Sequence, residues 1–262
     1  MSTTLKIAKY QFFNVVRTRW VFVVFALFFF LTAALFYFGE SEAKVLVSLL
    51  NVTLIFLPLL SVLFGVFYVY NSTSFIELML TQPIYRSELY GGMWLGIVTP
   101  FVGSFVLGVL LPFLVFGSWA GYAGAFGTLF IVGTALILIF LSLGMMFAVF
   151  AEERTVGMSL ALLLWLVLTV VYDAVVLYLA TVFRDYPLEQ PLIAAMFLNP
   201  VDLGRVALLL QLDVSALMGY TGAVFREFFG TSLGISLALV ALLLWISIPV
   251  FVGLKRFTHR DF

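Results

Sequence analysis

The amino-acid sequence predicts an all-α membrane protein with six transmembrane helices, built as a single domain over residues 1–262. The chain is 64% hydrophobic and only 10% charged, whereas soluble domains carry about 25% charged residues. Its mean hydropathy of +1.21 is correspondingly high. A chain with so little polar surface is expected to have the lipid bilayer as its solvent.

Six apolar runs are long enough to cross a bilayer, which takes roughly 20 residues in a helix. Of the 13 basic and 13 acidic residues, only Asp173 falls inside one of these runs. Charged side chains are costly in the hydrocarbon core, so this distribution is typical of membrane spans. The predicted spans are Trp20–Phe38, Val45–Tyr70, Met93–Phe116, Ala125–Phe150, Val156–Val182 and Thr231–Leu254.

Several classes of function are excluded by what the sequence lacks. It has no cysteine, which removes disulfides, thiolate metal sites and thiol catalysis. No segment reads G-x-x-x-x-G-K-[ST], so the chain cannot cradle ATP phosphates. A single histidine, His259, and scattered methionines give no metal path. Zero net charge without a long basic run argues against nucleic acid as a partner. The sequence therefore predicts neither catalysis nor a cofactor bound by this chain.

The basic residues predict the orientation, because Lys and Arg accumulate on the cytoplasmic side of membrane proteins. With six spans, both termini face the same side, and nine basic residues lie there against four on the other. We therefore expect cytoplasmic termini. The nine are Lys6, Lys9, Arg17, Arg19, Arg86, Arg154, Lys255, Arg256 and Arg260, and the four are Lys44, Arg184, Arg205 and Arg226.

Before the first span, residues 3–19 are predicted to form an amphipathic helix on the membrane surface. Its cations would contact lipid headgroups, or would act only as a topology anchor. The apolar face has Leu5, Ala8, Phe12, Val15 and Val16, and the polar face has Lys6, Lys9, Asn14 and Arg17.

Between the second and third spans, residues 72–90 turn polar, and we predict a helical elbow there on the cytoplasmic side. Ser74-x-x-Glu77 has the spacing of a capping box, in which each side chain accepts a free N–H at the helix start. A short helix is expected from about Phe75 to Thr81. Pro83 suits the first turn of the next helix, because its missing N–H would have no partner there. An ordinary interfacial loop is the alternative.

The longest stretch outside the spans is residues 183–230, predicted to lie on the periplasmic side. Asn199 followed by Pro200 is typical of a helix start, and this helix is expected to run to about Leu212 against the bilayer or the spans. A second short helix is expected at Ser215–Met218. The segment either binds a periplasmic partner or closes a dimer. Candidate partner contacts are Asn199, Asp202, Arg205, Asp213 and Arg226.

Asp173 is the one Asp, Glu, Lys or Arg residue inside a predicted span. A carboxyl at such a position is costly and normally faces protein or water. Two interpretations of Asp173 are open. In the functional one, it lies on a translocation path or moves between two dimer states. In the structural one, its carboxyl is bonded to a hydroxyl or backbone group of a neighbouring helix. The sequence slightly favours the structural role.

Together these features resemble the permease subunits of type-2 ABC exporters. The resemblance covers the whole chain and is carried by the six spans, the N-terminal helix, the elbow ELMLTQPIYRSELYGG and the short AEERTVG turn. The elbow is similar to that family's coupling helix, which sits in a cleft of the ATPase subunit. The resemblance implies ATPase contacts at Ser74, Phe75, Glu77, Gln82, Pro83 and Arg86 in the elbow and at Glu152, Glu153 and Arg154 in the turn.

Two further stretches, LWLVLTVVYDAVVLYL and NPVDLGRVALLLQLD, resemble the membrane subunit of the Nos ABC complexes. Those complexes help assemble the copper sites of nitrous oxide reductase. The resemblance implies a homodimer in the bacterial inner membrane and a NosF-like cytoplasmic ATPase that holds ATP and Mg²⁺. It also implies a periplasmic β-helix partner like NosD, and a link to a copper-donating lipoprotein like NosL.

Two alternatives stay open at this point. Within the same class, the chain would be the permease of a type-2 exporter for a lipid, a drug or another cargo. From a different class, it would be a passive membrane scaffold that anchors a periplasmic assembly. Nothing in the sequence identifies a cargo or its direction.

Overall fold

The computed structural model describes residues 2–39, 41–117, 123–183, 189–211 and 232–260. These residues form eleven α-helices and one π-helical segment, and no strand occurs among them. The helices are α1 Thr3–Val16, α2 Arg19–Phe38, α3 Glu42–Asn71, α4 Thr73–Leu80, α5 Arg86–Phe116, α6 Ala123–Phe150, α7 Arg154–Leu166, α8 Tyr172–Val182, α9 Glu189–Phe197, α10 Pro200–Gln211 and α11 Ser232–His259, with the π segment Val167–Val171 joining α7 to α8.

Six of these helices are long and apolar enough to cross a membrane, which confirms the predicted all-α, six-span fold. They are α2, α3, α5, α6, the continuous unit α7–α8, and α11. Most extend beyond the apolar runs that predicted them: α3 begins at Glu42 and α5 at Arg86. The polar residues that flank a span continue the same helix into the interface.

The spans divide into a central group and a peripheral group. In the most apolar stretches of α3, α5 and α6, 61%, 56% and 67% of the residues are buried inside the chain. The corresponding share is 17% in both α2 and α7–α8, and 11% in α11. The peripheral spans therefore present most of their surface to lipid or to another protein.

The closest approach between two central helices is that of α3 and α6 at Gly65 and Gly144. A Cβ atom at Gly65 would lie 2.6 Å from the carbonyl oxygen of Leu141, and one at Gly144 would overlap the carbonyl oxygen of Val62. Small residues let helix backbones approach closely in membranes, where packing rather than hydrophobicity drives association. These two glycines therefore set the distance between α3 and α6.

The N-terminal helix α1 packs on α5 along a face different from the predicted one. Its buried residues are Ile7, Gln11 and Val15, while Leu5 is half exposed. Contact is close because α5 has glycines here: a Cβ at Gly92 would lie 2.7 Å from Cβ of Ile7. Val15 belongs to both the predicted and the observed buried face. The two faces differ because contact with α5 selects the buried residues, and no local pattern reveals that neighbour.

Residues 189–211 form a bent pair of helices, and the periplasmic position of this segment stays a prediction. Helices α9 and α10 meet at 115° around Leu198 and Asn199. A Cβ at Gly204 of α10 would lie 2.7 Å from the Val132 side chain, so α10 packs closely against α6. The sequence did not predict α9, and the expected helix at Ser215–Met218 lies outside the described residues. We call this pair the outer hairpin.

The glycine contacts generate a stability prediction. We expect Gly65→Ala or Gly144→Ala to lower the melting temperature of the purified protein, because the added methyl group meets backbone that cannot yield. Forced overpacking costs about 1–3 kcal/mol. Gly103→Ala is the matched control, since no atom lies within 4 Å of its Cβ position and Ala favours a helix by up to about 1 kcal/mol over Gly. Equal melting temperatures for all three variants would contradict the close α3–α6 contact.

Candidate functional site

The elbow between α3 and α5 contains the short helix α4, but its start differs from the predicted one. Ser74 lies inside α4, whose N-cap is Ser72 with no side-chain cap hydrogen bond, so the predicted capping box is wrong. The N–H of Ser72 still donates to the carbonyls of Tyr68 and Val69, and its own carbonyl accepts from Ile76. Because α4 follows α3 without an extended residue between them, it has no free N-terminus for a capping box to satisfy. Pro83 lies in the turn before α5, which begins only at Arg86.

One face of α4 is fixed to the protein and the opposite face is exposed. Ile76 is fully buried, and the Phe75 ring stacks on Tyr10 of α1 with centroids 5.4 Å apart. On the other face Leu78 is 59% exposed. The exposed surface of the elbow consists of Ser74, Glu77, Leu78, Thr81, Gln82, Pro83 and Tyr85.

The turn between α6 and α7 lies at the same end and is tied to the end of α3. The Tyr70 hydroxyl lies 3.0 Å from the carbonyl oxygens of both Ala151 and Glu153, and donates to them. The Arg154 guanidinium stacks over the Phe67 ring at 4.2 Å from its centroid, a cation–π contact. Glu152, Glu153 and Arg154 are exposed. The elbow and the acidic turn are therefore held on one platform, which we call the inner platform.

Two arginines close the inner platform from the side of α11. Arg260 donates to the last carbonyls of α6, at 2.7 Å to Ala148 and 3.0 Å to Val149. Arg86 donates to the carbonyls of Thr258 and Arg260, at 3.1 and 2.6 Å. Cations favour helix C-termini, where carbonyls lack intrahelical partners. Arg86 therefore holds α5 to α11, and its contact with an ATPase stays a prediction.

At the opposite end, the outer hairpin brings two charged residues to Asp173. The Asp173 carboxylate accepts from the Arg205 guanidinium at 2.6 Å, and Asp202 pairs with the same guanidinium at 3.0 Å. All three side chains are partly buried, at 14–29% exposure. The partner of Asp173 is therefore a cation, and not the hydroxyl or backbone group that the structural interpretation expected. We call these three residues the outer ion cluster.

Asn199 is bound inside the protein, which corrects its assignment as a partner contact. It is fully buried, its amide group donates to the carbonyl of Leu168 at 2.8 Å, and its side-chain oxygen caps α10 through the N–H of Val201 at 3.0 Å. The cap confirms the predicted start of α10. Leu168 belongs to the π segment, where the i+5 pattern leaves carbonyls without their α-helical partner. Asn199 supplies that partner from the bend of the hairpin.

Two more hydrogen bonds hold α9 between its neighbours. The Tyr172 hydroxyl of α8 donates to the carbonyl of Ala195, and the Trp245 indole of α11 donates to the carbonyl of Phe197 at 3.2 Å. Between α8 and the hairpin a cavity of about 180 Å³ opens onto the outer ion cluster.

The remaining predicted partner contacts, Asp213 and Arg226, lie outside the described residues. Contact of Asp202 and Arg205 with a partner stays a prediction.

The family comparison covers nearly the whole of this helical bundle. The family model described as ABC-2 family transporter protein matches residues 5–262. The chain belongs to this family. ABC-2 permeases are multi-pass membrane proteins, and membership of this family implies an ATPase partner.

Two curated relatives match the ABC-2 permease over nearly its whole length. Both are named "Probable ABC transporter permease protein NosY". The one from Stutzerimonas stutzeri is 23% identical over 273 residues, covering 97% of this chain and 95% of the relative. The one from Pseudomonas aeruginosa is 24% identical over 272 residues, covering 97% and 94%. The chain is therefore similar to NosY along its entire fold.

The outer ion cluster generates a second prediction. Arg205→Met should lower the melting temperature more than Asp173→Asn, because it leaves two partly buried carboxylates without their cation, whereas Arg205 keeps Asp202 after the Asp173 change. An unpaired buried polar group costs about 1–3 kcal/mol.

A double-mutant cycle checks this by melting temperature and urea unfolding of the purified protein. In Asp173→Asn/Arg205→Met, one of the two repelling carboxylates is gone, so part of the loss should be restored. Strict additivity of the two single losses would show that the two side chains are not coupled.

Proposed function

We propose that this chain is the permease subunit of a Nos-type ABC complex, which carries ATP-driven motion across the membrane for maturation of the copper site of nitrous oxide reductase. It acts as a homodimer in the bacterial inner membrane, with a NosF-like ATPase on the cytoplasmic side and a NosD-like β-helix protein on the periplasmic side. A NosL-like lipoprotein supplies the copper. The ATPase subunit holds ATP and Mg²⁺, and this chain holds neither.

The observation that carries the proposal is the inner platform. An exposed helix face with Glu77 and the 59%-exposed Leu78 is fixed from behind by Ile76 and Phe75. A force applied to this face is passed on, because α4 cannot move independently of α1 and α3. The acidic turn at Glu152 and Glu153 offers a second contact, and the Tyr70 hydroxyl joins this turn to the end of α3. These two contacts fit a soluble ATPase that pushes on the permease.

The route from the inner platform to the periplasmic side runs through α3 and α6. Helix α3 leads directly into α4, and α6 leads into the acidic turn. At their other halves, Leu54 of α3 and Val132 of α6 lie against Gly204 of the outer hairpin. A displacement of the inner platform is therefore transmitted to the hairpin by two packed helices. This supports action on a periplasmic partner without requiring a pore.

The copper-site role rests on the similarity to the two NosY proteins over the whole chain. A type-2 exporter for another cargo would share the inner platform, and a passive scaffold would not need it. Purification with a stoichiometric ATPase separates the permease from the scaffold. Loss of copper-loaded nitrous oxide reductase on deletion of this chain separates the Nos role from that of another exporter.

The inner platform generates a third prediction. Glu77→Ala/Leu78→Ala should weaken association with the ATPase roughly five- to thirtyfold, the scale of losing an interface hot spot, and should lower ATP turnover of the complex in parallel. Co-purification stoichiometry and ATPase rates of the reconstituted complex measure both. Leu5→Ala is the matched control, since it removes another half-exposed leucine at the same end but off the elbow. Wild-type stoichiometry and turnover in the double variant would contradict the assignment of the inner platform as the ATPase contact. Arg86→Ala is unsuitable for this test, because it releases α11.

A fourth prediction concerns orientation, and the absence of cysteine makes the background clean. Ser41, between α2 and α3, and Ser87, at the start of α5, are both exposed and lie at opposite ends of the bundle. With cytoplasmic termini, Ser41→Cys should react with an impermeant thiol reagent added to intact spheroplasts, and Ser87→Cys should react only after lysis. The reverse pattern would place the termini in the periplasm.

A further inference from the structure

A groove at the end of the bundle that carries the chain termini is lined by both apolar and basic side chains. It encloses about 480 Å³ between the last residue of α6 and the last two turns of α11. The apolar part consists of Phe150, Phe251 and Val252, and the basic part of Lys255, Arg256 and His259. Neither the fold nor the inner platform uses this groove.

The two kinds of side chain are separated along the axis of α11. Phe251, Lys255 and His259 follow one another at four-residue intervals, so they form a single row, and Val252 and Arg256 form the row beside it. At 1.5 Å per residue this row is about 12 Å long. It begins with an aromatic ring toward the bilayer centre and ends with cations at the interface. That order matches a phospholipid, whose acyl chains point inward and whose phosphate lies at the surface.

The cations in the groove are not neutralised by carboxylates in the part of the chain that the structure describes. Arg86 and Arg260 cap the neighbouring helix ends, but Lys255 and Arg256 have no salt bridge with any carboxylate among the described residues. The carbonyl of Lys255 accepts from the Thr258 hydroxyl at 2.8 Å and lies 2.8 Å from Nδ1 of His259. Since that carbonyl can only accept, Nδ1 is the donor in this contact and Nε2 is the ring nitrogen left for a ligand.

The aromatic part of the groove is accessible. Phe251 is 67% exposed and Phe150 is 48% exposed. The Arg256 guanidinium lies 5.8 Å from the Phe150 ring centroid, so the charge and the apolar wall meet at one point. An exposed aromatic wall ending in unpaired cations fits a ligand with one apolar end and one negative end.

We propose that this groove is a binding site for an anionic phospholipid of the leaflet that faces the chain termini. Its phosphate contacts Lys255 and Arg256, with His259 beside them, and the upper part of an acyl chain lies on Phe251 and Phe150. Basic pockets between transmembrane helices are known to recognise anionic headgroups. The groove lies between α6 and α11, next to the acidic turn. A lipid bound there contacts both helices, so the lipid composition of that leaflet influences the position of the inner platform.

The test compares lipids that differ only in headgroup charge. The purified protein in detergent is titrated with phosphatidylglycerol or with phosphatidylcholine of the same acyl chains, and the bound fraction is read by native mass spectrometry. We expect selective retention of phosphatidylglycerol. Lys255→Gln/Arg256→Gln should reduce that retention roughly tenfold or more, the scale of two cations at an anionic headgroup. Phe251→Ala keeps the charges and should weaken retention of both lipids.

The matched control is Lys6→Gln/Lys9→Gln, which removes the same charge from exposed positions of α1 at the same end. A non-specific surface attraction predicts equal losses in the two double variants, and that result would overturn the site. Displacement of phosphatidylglycerol by glycerol phosphate at equal concentration would instead assign the groove to a soluble phosphate and would also overturn the lipid proposal. Melting temperatures near wild type confirm that each variant is folded, which the exposure of all five residues favours.

Discussion

The contact of α3 with α6 is the constraint on which the other parts of this permease depend. At Gly65 and Gly144 the two backbones approach so closely that neither position accepts a methyl group. In a bilayer such a contact is stabilised by packing rather than by exclusion of water, so its geometry is determined by side-chain size. Each of these helices continues into one part of the inner platform, and each packs against the outer hairpin through Leu54 or Val132. A small change at their crossing point therefore reaches both ends.

The polar contacts at the two ends follow from the same physics. Inside the membrane an unpaired carbonyl or charge is costly, so it must find its partner within the protein. Asn199 satisfies the carbonyl of Leu168 that the π segment releases, and Arg205 neutralises Asp173. At the inner end Arg260 and Arg86 satisfy the last carbonyls of α6 and α11. Each of these bonds joins two different helices. The same side chains therefore pair the polar groups and hold the helices of the bundle together.

Sequence reasoning predicted what the bilayer dictates and missed what depends on three-dimensional neighbours. The six spans follow from the apolar runs and the exclusion of charge, and the cap at Asn199 follows from a local pattern. The capping box at Ser74 failed because α4 is a direct continuation of α3, which no local motif reveals. The partner of Asp173 lies 32 positions away, and only the bend of the outer hairpin brings Arg205 to it. Helix α9 had a usable signal, since Pro191 suits a first turn and Asn199-Pro200 marks a bend, but its apolar run is too short to register as a span.

The distribution of fixed and exposed surfaces differs from what a simple membrane anchor requires. An anchor needs spans and flanking charges, and its interfacial loops are free to vary. Here the elbow is buttressed by Ile76 and by the Phe75–Tyr10 stack, while its outer face keeps Leu78 exposed. The outer hairpin is likewise held from α8, from the π segment and from α11. The elbow and the outer hairpin are therefore both fixed to the helical bundle. The peripheral spans α7–α8 and α11 are less buried within the chain than the central helices. Each is nevertheless joined to the hairpin by hydrogen bonds, so the hairpin fastens the peripheral spans to each other.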